Sequence, residues 1–424
     1  MSDQEADFAD EIIQDHLPKH TTPPRDRFLP WHRTRKEYIR HLQWNELTRR
    51  LIKRRWRRQL RAQEAESSPD QQPATDETLQ LPESALRQHP LNCLVIPGED
   101  LLDIRALWRD IQALNCAVRY LGFHEGQGSD QTGTRVHVAN NAVTSLEGVV
   151  RDSRVVRDRF EAVARRQSQA YRYLREYGPY HVVNLDLCGS MFPNTASDVR
   201  NYYEAVHQVL AYQFEHQTSE WLLFLTTMVE PAAVDAEGLK KLCGPTRDNY
   251  YKHVQFADQI VKIVPPGVFI GAEGSVALSG LNGQQMADLF GVALGKWLLG
   301  LCRTATPQWT IGMRRSYRYS VNEERGAMML SLAFELRPNV APPSDTTGMS
   351  AATLPPRRFP DECECAVNLA KSVANIQSVE DKLSADPNLT HALQEAQACL
   401  LEAAGYDRAA YLKWVSEGEM PPSD

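Results

Sequence analysis

Between Leu91 and Leu336, short runs of almost wholly apolar residues alternate with longer stretches in which apolar positions recur at helical spacing. Leu91 to Ile96 predicts a strand that closes on the turn Pro97-Gly98-Glu99-Asp100. Leu101 to Leu114 follows as a helix, with Leu102, Leu107, Ile111 and Leu114 on one face. Cys116 to Phe123 predicts the next strand and Arg135 to Ala139 a third, with the polar stretch His124 to Gly133 as a loop before it. Val155 to Tyr177 predicts a helix, Tyr180 to Asp186 a nearly continuous apolar strand, residues 197–216 a further helix and Trp221 to Thr226 a fifth strand. Apolar strands separated by helices imply a mostly parallel sheet covered on both faces, joined by right-handed crossovers. The expected class is therefore α/β and Rossmann-like.

The end of this region differs from its beginning. After a helix over about Gln284 to Leu301, the strands Trp309 to Ser320 and Ala327 to Leu336 are joined by only Val321 to Gly326, too few residues for a crossover helix. They must be antiparallel neighbours, a C-terminal hairpin closing the sheet. Two stretches read as linkers: residues 62–90, rich in Glu, Ser, Gln and Pro, and residues 337–360, with six prolines. They divide the chain into an acidic tail and basic helical arm (1–61), the sheet domain (91–336) and a C-terminal helical module (361–424). The last has the composition of a docking or dimerisation element for protein partners.

Charge sharpens the picture of the arm. The 424 residues carry a formal charge of −7, yet residues 25–61 hold fourteen Arg or Lys against three acids, a local +11. Such a segment suits a polyanion, whose counterions it would release, or the chain's own acidic surface, or an acidic partner. Thr34-Arg35-Lys36-Glu37 has the pattern of a capping box, predicting a helix start. Downstream, Tyr38, Leu42, Ile52, Trp56 and Leu60 share one arc and Trp44, Leu47 and Leu51 another, so the helix either breaks near Asn45 or is contacted on two sides. Arg49, Arg50, Lys53, Arg54, Arg55, Trp56, Arg57 and Arg58 place cations around an aromatic ring, a pattern suited to phosphates with a stacked base and equally to a solvated helix with a packing tryptophan. The longest nearly apolar stretch, Leu289 to Cys302, is interrupted by Lys296 and too short to cross a bilayer, and the acidic start lacks the order of a secretory signal. Cytoplasmic residence and no membrane partner are expected. Cysteines mostly within apolar runs read as reduced thiols, and Cys363 with Cys365 is too sparse a pair for a metal site.

Five parallel strands and a closing antiparallel hairpin resemble the class I S-adenosylmethionine-dependent methyltransferases, over about Leu91 to Leu336 and by element order more than by sharp motifs. The resemblance implies a cofactor over the carboxyl ends of the first strands. Its cofactor-binding residues would be Pro97, Gly98 and Glu99 in the first turn, with Glu125 taking the ribose hydroxyls; one glycine stands where the family has two or three. Asn184-Leu185-Asp186-Leu187-Cys188-Gly189 is loosely similar to the Asp-Pro-Phe/Tyr-Gly segment of tRNA guanine-N2 methyltransferases, which implies catalytic roles for Asp186 and Asn184 in holding an acceptor amine. Leu and Cys replace the Pro and aromatic of that segment. Read from the residues alone, Glu99 suits a helix N-terminus and Asp186 a turn.

Period-two alternation places Tyr317 and Tyr319 on one face of their strand and Arg318 on the other, and Arg314, Arg315 and Arg318 either extend a phosphate-binding surface or blunt an edge strand. The glycine-containing stretch Gly271 to Gly283 reads as turns. No H-E-x-x-H, G-x-S-x-G or P-loop lysine pattern occurs, which removes the common hydrolase and NTPase classes. Two readings stay open. One is a methyltransferase acting on nucleic acid, DNA or RNA, with S-adenosylmethionine as cofactor. The other is a non-catalytic nucleic-acid-binding or scaffolding subunit of a bacterial assembly, of the defence or RNA-processing kind.

Overall fold

A computed structural model describes residues 25–67, 89–125, 130–187, 189–194, 202–269, 277–278, 280–321, 328–339 and 359–418. Within these, the central sheet runs in the order β3-β2-β1-β4-β5-β8-β7-β9, with β6 also paired to β8. The strands are β1 (Leu91–Val95), β2 (Val118–Phe123), β3 (Arg154–Val156), β4 (Val182–Asp186), β5 (Trp221–Met228), β6 (Trp309–Met313), β7 (Tyr317–Ser320), β8 (Met328–Pro338) and β9 (Gln377–Ser378). The first five are mutually parallel, and β8 runs antiparallel beside β5 along its whole length. The α/β class and the closing antiparallel strands agree with the sequence pattern.

Helices cover both faces because the central strands β1, β2, β4 and β5 are largely apolar on both. Leu94, Leu121, Val183, Leu185, Leu223 and Leu225 face one layer, made by α5 (Gln169–Tyr177), α6 (Tyr202–His216), α7 (Ala236–Lys252), α8 (Val254–Ile260), α9 (Gly283–Thr304) and α10 (Glu362–Ala374). Cys93, Val95, Val118, Tyr120, Val182, Leu222 and Phe224 face the other, where α3 (Leu102–Gln112) and α4 (Asp130–Thr144) lie beside the N-terminal helices. Those are α1 (Thr34–Ile39), a π-helical turn at Arg40–Asn45, and α2 (Glu46–Ser67).

The π-helical turn explains the two apolar arcs of the arm. One extra residue per turn shifts the register, so Tyr38, Ile39, Trp44, Leu47, Leu51 and Ile52 all reach the same buried layer. Thr34 begins the helix, with Arg33 as an N-cap that makes no side-chain capping bond, and Glu37 turns to Arg40 and His41.

Three expectations are corrected. Arg135–Ala139 lies inside α4; Val136 and Ala139 are buried, while Arg135, His137 and Val138 are exposed, so the apolar spacing there belongs to a helix. The third strand is instead β3, within the stretch expected as the start of a helix; an irregular turn at Phe160–Ala164 separates it from α5, N-capped by Ser168. The strand expected over Trp309 to Ser320 is split at Arg314-Arg315-Ser316, where Ser316 Oγ accepts the Ala333 amide and the backbone leaves the ladder. Tyr317 and Tyr319 do share a face and pack with Tyr38 in the layer under the N-terminal helices. Cys188, Gly271–Ser275 and most of both expected linkers lie outside the described residues.

After α10 the chain adds β9 to the sheet edge and continues through α11 (Val379–Ala385), α12 (Pro387–Ala403) and α13 (Arg408–Ser416). Their apolar faces cover this chain's own core. Ala398, Leu400, Leu401, Tyr406 and Tyr411 enclose Phe28 together with Leu102 and Ala106 of α3.

Candidate functional site: a strand rim closed by the N-terminal segment

Register places the carboxyl ends of β1 and β4 side by side. Val95 pairs with Asn184, and the Ile96 amide donates to the Asn184 carbonyl at 3.3 Å, so the Pro97-Gly98-Glu99 turn and Asp186 share one rim. Alternation along β4 sends Val182, Asn184 and Asp186 to the layer that holds the N-terminal helices.

Asp186 meets Lys36 there. Lys36 projects from α1, with Nζ 2.5 Å from Asp186 Oδ2, and its side chain is 7% exposed against 18% for the carboxylate. Nζ also donates to Tyr319 Oη at 3.4 Å and lies 4.7 Å from the centre of the Trp44 ring. Burial pulls the Lys36 ammonium toward neutrality, but Asp186, Tyr319 and Asp103 outweigh it and hold the pKa above its ordinary value. Asp103 in turn accepts from Arg40 Nε at 2.7 Å.

Further along the same seam, Glu37 and Asp110 flank His41 at 2.7 Å and 3.2 Å, and Asn45 donates to Asp110 at 2.7 Å. Burial works against the charged imidazole, yet Asp110 and Glu37 raise its pKa to about 9. Gln43 fixes the π-helical turn to the sheet by donating to the Arg315 and Ser331 carbonyls while accepting from Ser331 Oγ.

Asn184 lines a small space of about 20 Å³ with Trp44, Asn45, Thr48, Asp103 and Phe224. Ligand sites run to roughly 300–1,000 Å³, so this space holds about one water and no cofactor. Asn184 Oδ1 and Trp44 Nε1 are both buried without a hydrogen-bond partner.

The β1–β2 side of the rim is more open. A Cβ on Gly98 would meet nothing within 4 Å, so the turn leaves room above it. The close approach belongs to Gly122 instead, where a Cβ would lie 3.0 Å from Pro97 and Val155. Glu99 pairs with Arg135 at 3.3 Å, and Glu125 is held by Arg159. His124, close to both acids, is shifted below the ordinary histidine pKa by burial, with Glu99 and Glu125 opposing.

These residues leave open space above Gly98 but do not fit methyl transfer to an amine at Asn184 and Asp186. The position beside Asp186 holds the chain's own ammonium, and a protonated amine has no lone pair with which to attack. Among the described residues, no cluster of His, Cys, Asp or Glu could hold a metal ion, and no helix is long and apolar enough to cross a membrane.

The cationic helix lies against the sheet. Trp56 is buried at 5% exposure and Arg55 is partly buried, its pKa lowered by burial. Lys53 and Arg57 face solvent, Arg50 pairs with Glu46 at 2.6 Å, and Arg49 is partly buried. Arg54 reaches Glu220 at 3.1 Å and Glu335 at 2.7 Å, and Arg58 also engages Glu220. Lys36, Trp44 and the His41 cluster carry no motif; the signal in the sequence was β4's alternation, which sends two polar side chains into a buried layer.

The family model described as PP_RS20740-like matches residues 25–416, which takes in the N-terminal seam, the whole sheet and the C-terminal helices. The chain belongs to the PP_RS20740-like family. No curated protein matches the sequence. Among solved structures, the PP_RS20740-like chain is similar to an rRNA methylase from Streptococcus thermophilus, at 10% identity, covering 62% of this chain and 98% of that one, with a TM-score of 0.29.

Proposed function

We propose that this is a methyltransferase-like protein that binds nucleic acid and acts as a non-catalytic subunit, with no methyl transfer at Asn184 and Asp186. The observation that carries this reading is the Lys36–Asp186 pair at 2.5 Å, which fills the acceptor position from within the chain. The nucleic-acid part is supported by the local +11 of residues 25–61, several of whose cations stay at the surface.

A thermal-shift titration with S-adenosylmethionine and S-adenosylhomocysteine tests it. A ligand specific for the native state stabilises by about 2.7 kcal/mol at a hundred times its Kd. The expected result is an unchanged melting temperature at millimolar concentration; a clear rise overturns the non-catalytic reading.

A second reading, an S-adenosylmethionine-dependent enzyme, is favoured by the open space above Gly98 beside Glu99, His124 and Glu125. It requires that Glu125→Gln abolish any stabilisation by the two ligands, and that the acceptor approach by a route that avoids Asp186.

A further inference from the structure

Four guanidinium groups from three separate parts of the chain converge on two buried carboxylates. Glu220, just before β5, and Glu335, on β8, are each 3% exposed at the side chain. Glu220 takes Arg54, Arg58 and, at 3.3 Å, Arg337; Glu335 takes Arg54, Arg314 and, at 2.7 Å, Arg337. The register Leu222 to Glu335 puts the cluster at the amino-terminal end of β5, opposite the rim that holds Gly98 and Asp186.

We propose that this arginine cluster is a phosphate-binding surface for the backbone of a nucleic acid. The proposal rests on the nucleic-acid reading above and moves its surface from the helix alone to a composite of α2, the β6–β7 break and β8.

Three observations support it. First, four cations on two anions leave an excess of two positive charges, and the side chains of Arg58, Arg314 and Arg337 are 52%, 42% and 49% exposed. Each guanidinium has five N–H donors in a planar fork, so groups already paired inward still present donors outward in the geometry that phosphate oxygens accept. Second, the buried carboxylates hold these long side chains in place before any ligand arrives, which lowers the ordering cost of binding. Third, Arg50, Arg54 and Arg58 repeat every four residues, about 6 Å apart along α2, a row suited to a repeating polyanion.

The surface favours a phosphate polymer over an acidic protein because it lacks an apolar centre. The large apolar side chains exposed among the described residues are Trp31, Val138, Tyr251, Val254 and Val261, none of them in this cluster, and Trp56 of the same helix is buried. Protein interfaces place apolar and aromatic anchors at their core, whereas phosphate contacts need none.

Fluorescence anisotropy of the full chain with a labelled single strand and a labelled duplex, across a salt series, tests the assignment. The double variant Arg58→Gln/Arg337→Gln should bind at least about tenfold more weakly, with the slope of log affinity against log salt reduced by about two, one for each lost phosphate contact. Lys413→Gln, a charge change elsewhere, should leave both unchanged. Should the glutamine variant fail to fold, Arg58→Lys/Arg337→Lys keeps the charge and loses the fork; it should keep the slope and weaken binding about threefold. Wild-type binding that neither variant weakens overturns the surface and leaves the nucleic-acid reading standing. Absence of wild-type binding at low salt overturns both. Displacement of the nucleic acid by polyglutamate at matched charge gives the surface to an acidic protein and overturns the phosphate assignment.

Discussion

Lys36 of the first helix and Asp186 at the end of the fourth strand, 150 residues apart in sequence, form a 2.5 Å ion pair under Trp44 and Tyr319. The pair joins the N-terminal segment to the strand end that an amine-methylating enzyme of this fold would leave free for its substrate. The segment that completes the buried layer is the one that closes the rim.

Removing one member should cost far more than removing both. Lys36→Met leaves Asp186 buried beside apolar rings without its counter-charge, a situation that typically costs about 3–5 kcal/mol, whereas replacing a buried pair by well-packed apolar groups is often nearly neutral. Urea unfolding of Lys36→Met, Asp186→Leu and the double variant checks this. The double variant should recover most of the loss; strict additivity of the two single effects would show that the charges do not interact.

His41 sets a pH window. Its pKa rises to about 9 in the folded chain, between Glu37 and Asp110, against about 6.5 unfolded. The charged form is therefore favoured by folding: the contribution is complete below about pH 6.5 and is lost as pH rises through 9, on the order of 3 kcal/mol in all. His41→Gln should flatten the stability profile between these limits. His32 and His181 act in the opposite sense. Each is buried, with a pKa lowered to about 3, so they withdraw stability as pH falls from 6.5 toward 3. A wild-type profile that is flat from pH 6.5 to 9.5 would contradict the His41 assignment.

Most of the sheet was legible because its strands are apolar on both faces and its helices keep a clear period. The failures have physical causes. In residues 135–139 a partly buried helix imitates strand alternation, and β3 is only three residues long, too short to show a period. The candidate site was half legible. Asn184 and Asp186 stand out as polar ends of an apolar strand, and their shared rim with Gly98 follows from the parallel order. What covers them did not show, because the apolar arcs of residues 34–60 cannot be read across a π-helical turn, and because Lys36 sits in a string that reads equally well as a helix cap.

One ordered water should occupy the space beside Asn184. Trp44 Nε1 can only donate and Asn184 Oδ1 can only accept, both lack partners, and the cavity they line, at about 20 Å³, exceeds the roughly 10–15 Å³ that a water requires. Crystallographic density at this position, bridging the two groups, is the expected outcome. Without a water there, two buried polar groups would go unsatisfied at roughly 1–3 kcal/mol each, and the side-chain placement would need revision.

Trp56 separates packing from base stacking. At 5% exposure it cannot offer a ring face to a base. Trp56→Ala should lower stability by about 3–5 kcal/mol, the range for emptying an aromatic site in a core. Trp56→Phe keeps most of the buried ring and should leave affinity for a single strand unchanged, since a stacking platform loses about 1–3 kcal/mol per base only when its ring contacts that base. Quenching of Trp56 fluorescence on adding oligonucleotide, measured against the Trp56→Phe variant to subtract the other tryptophans, would show that the ring is reached after all.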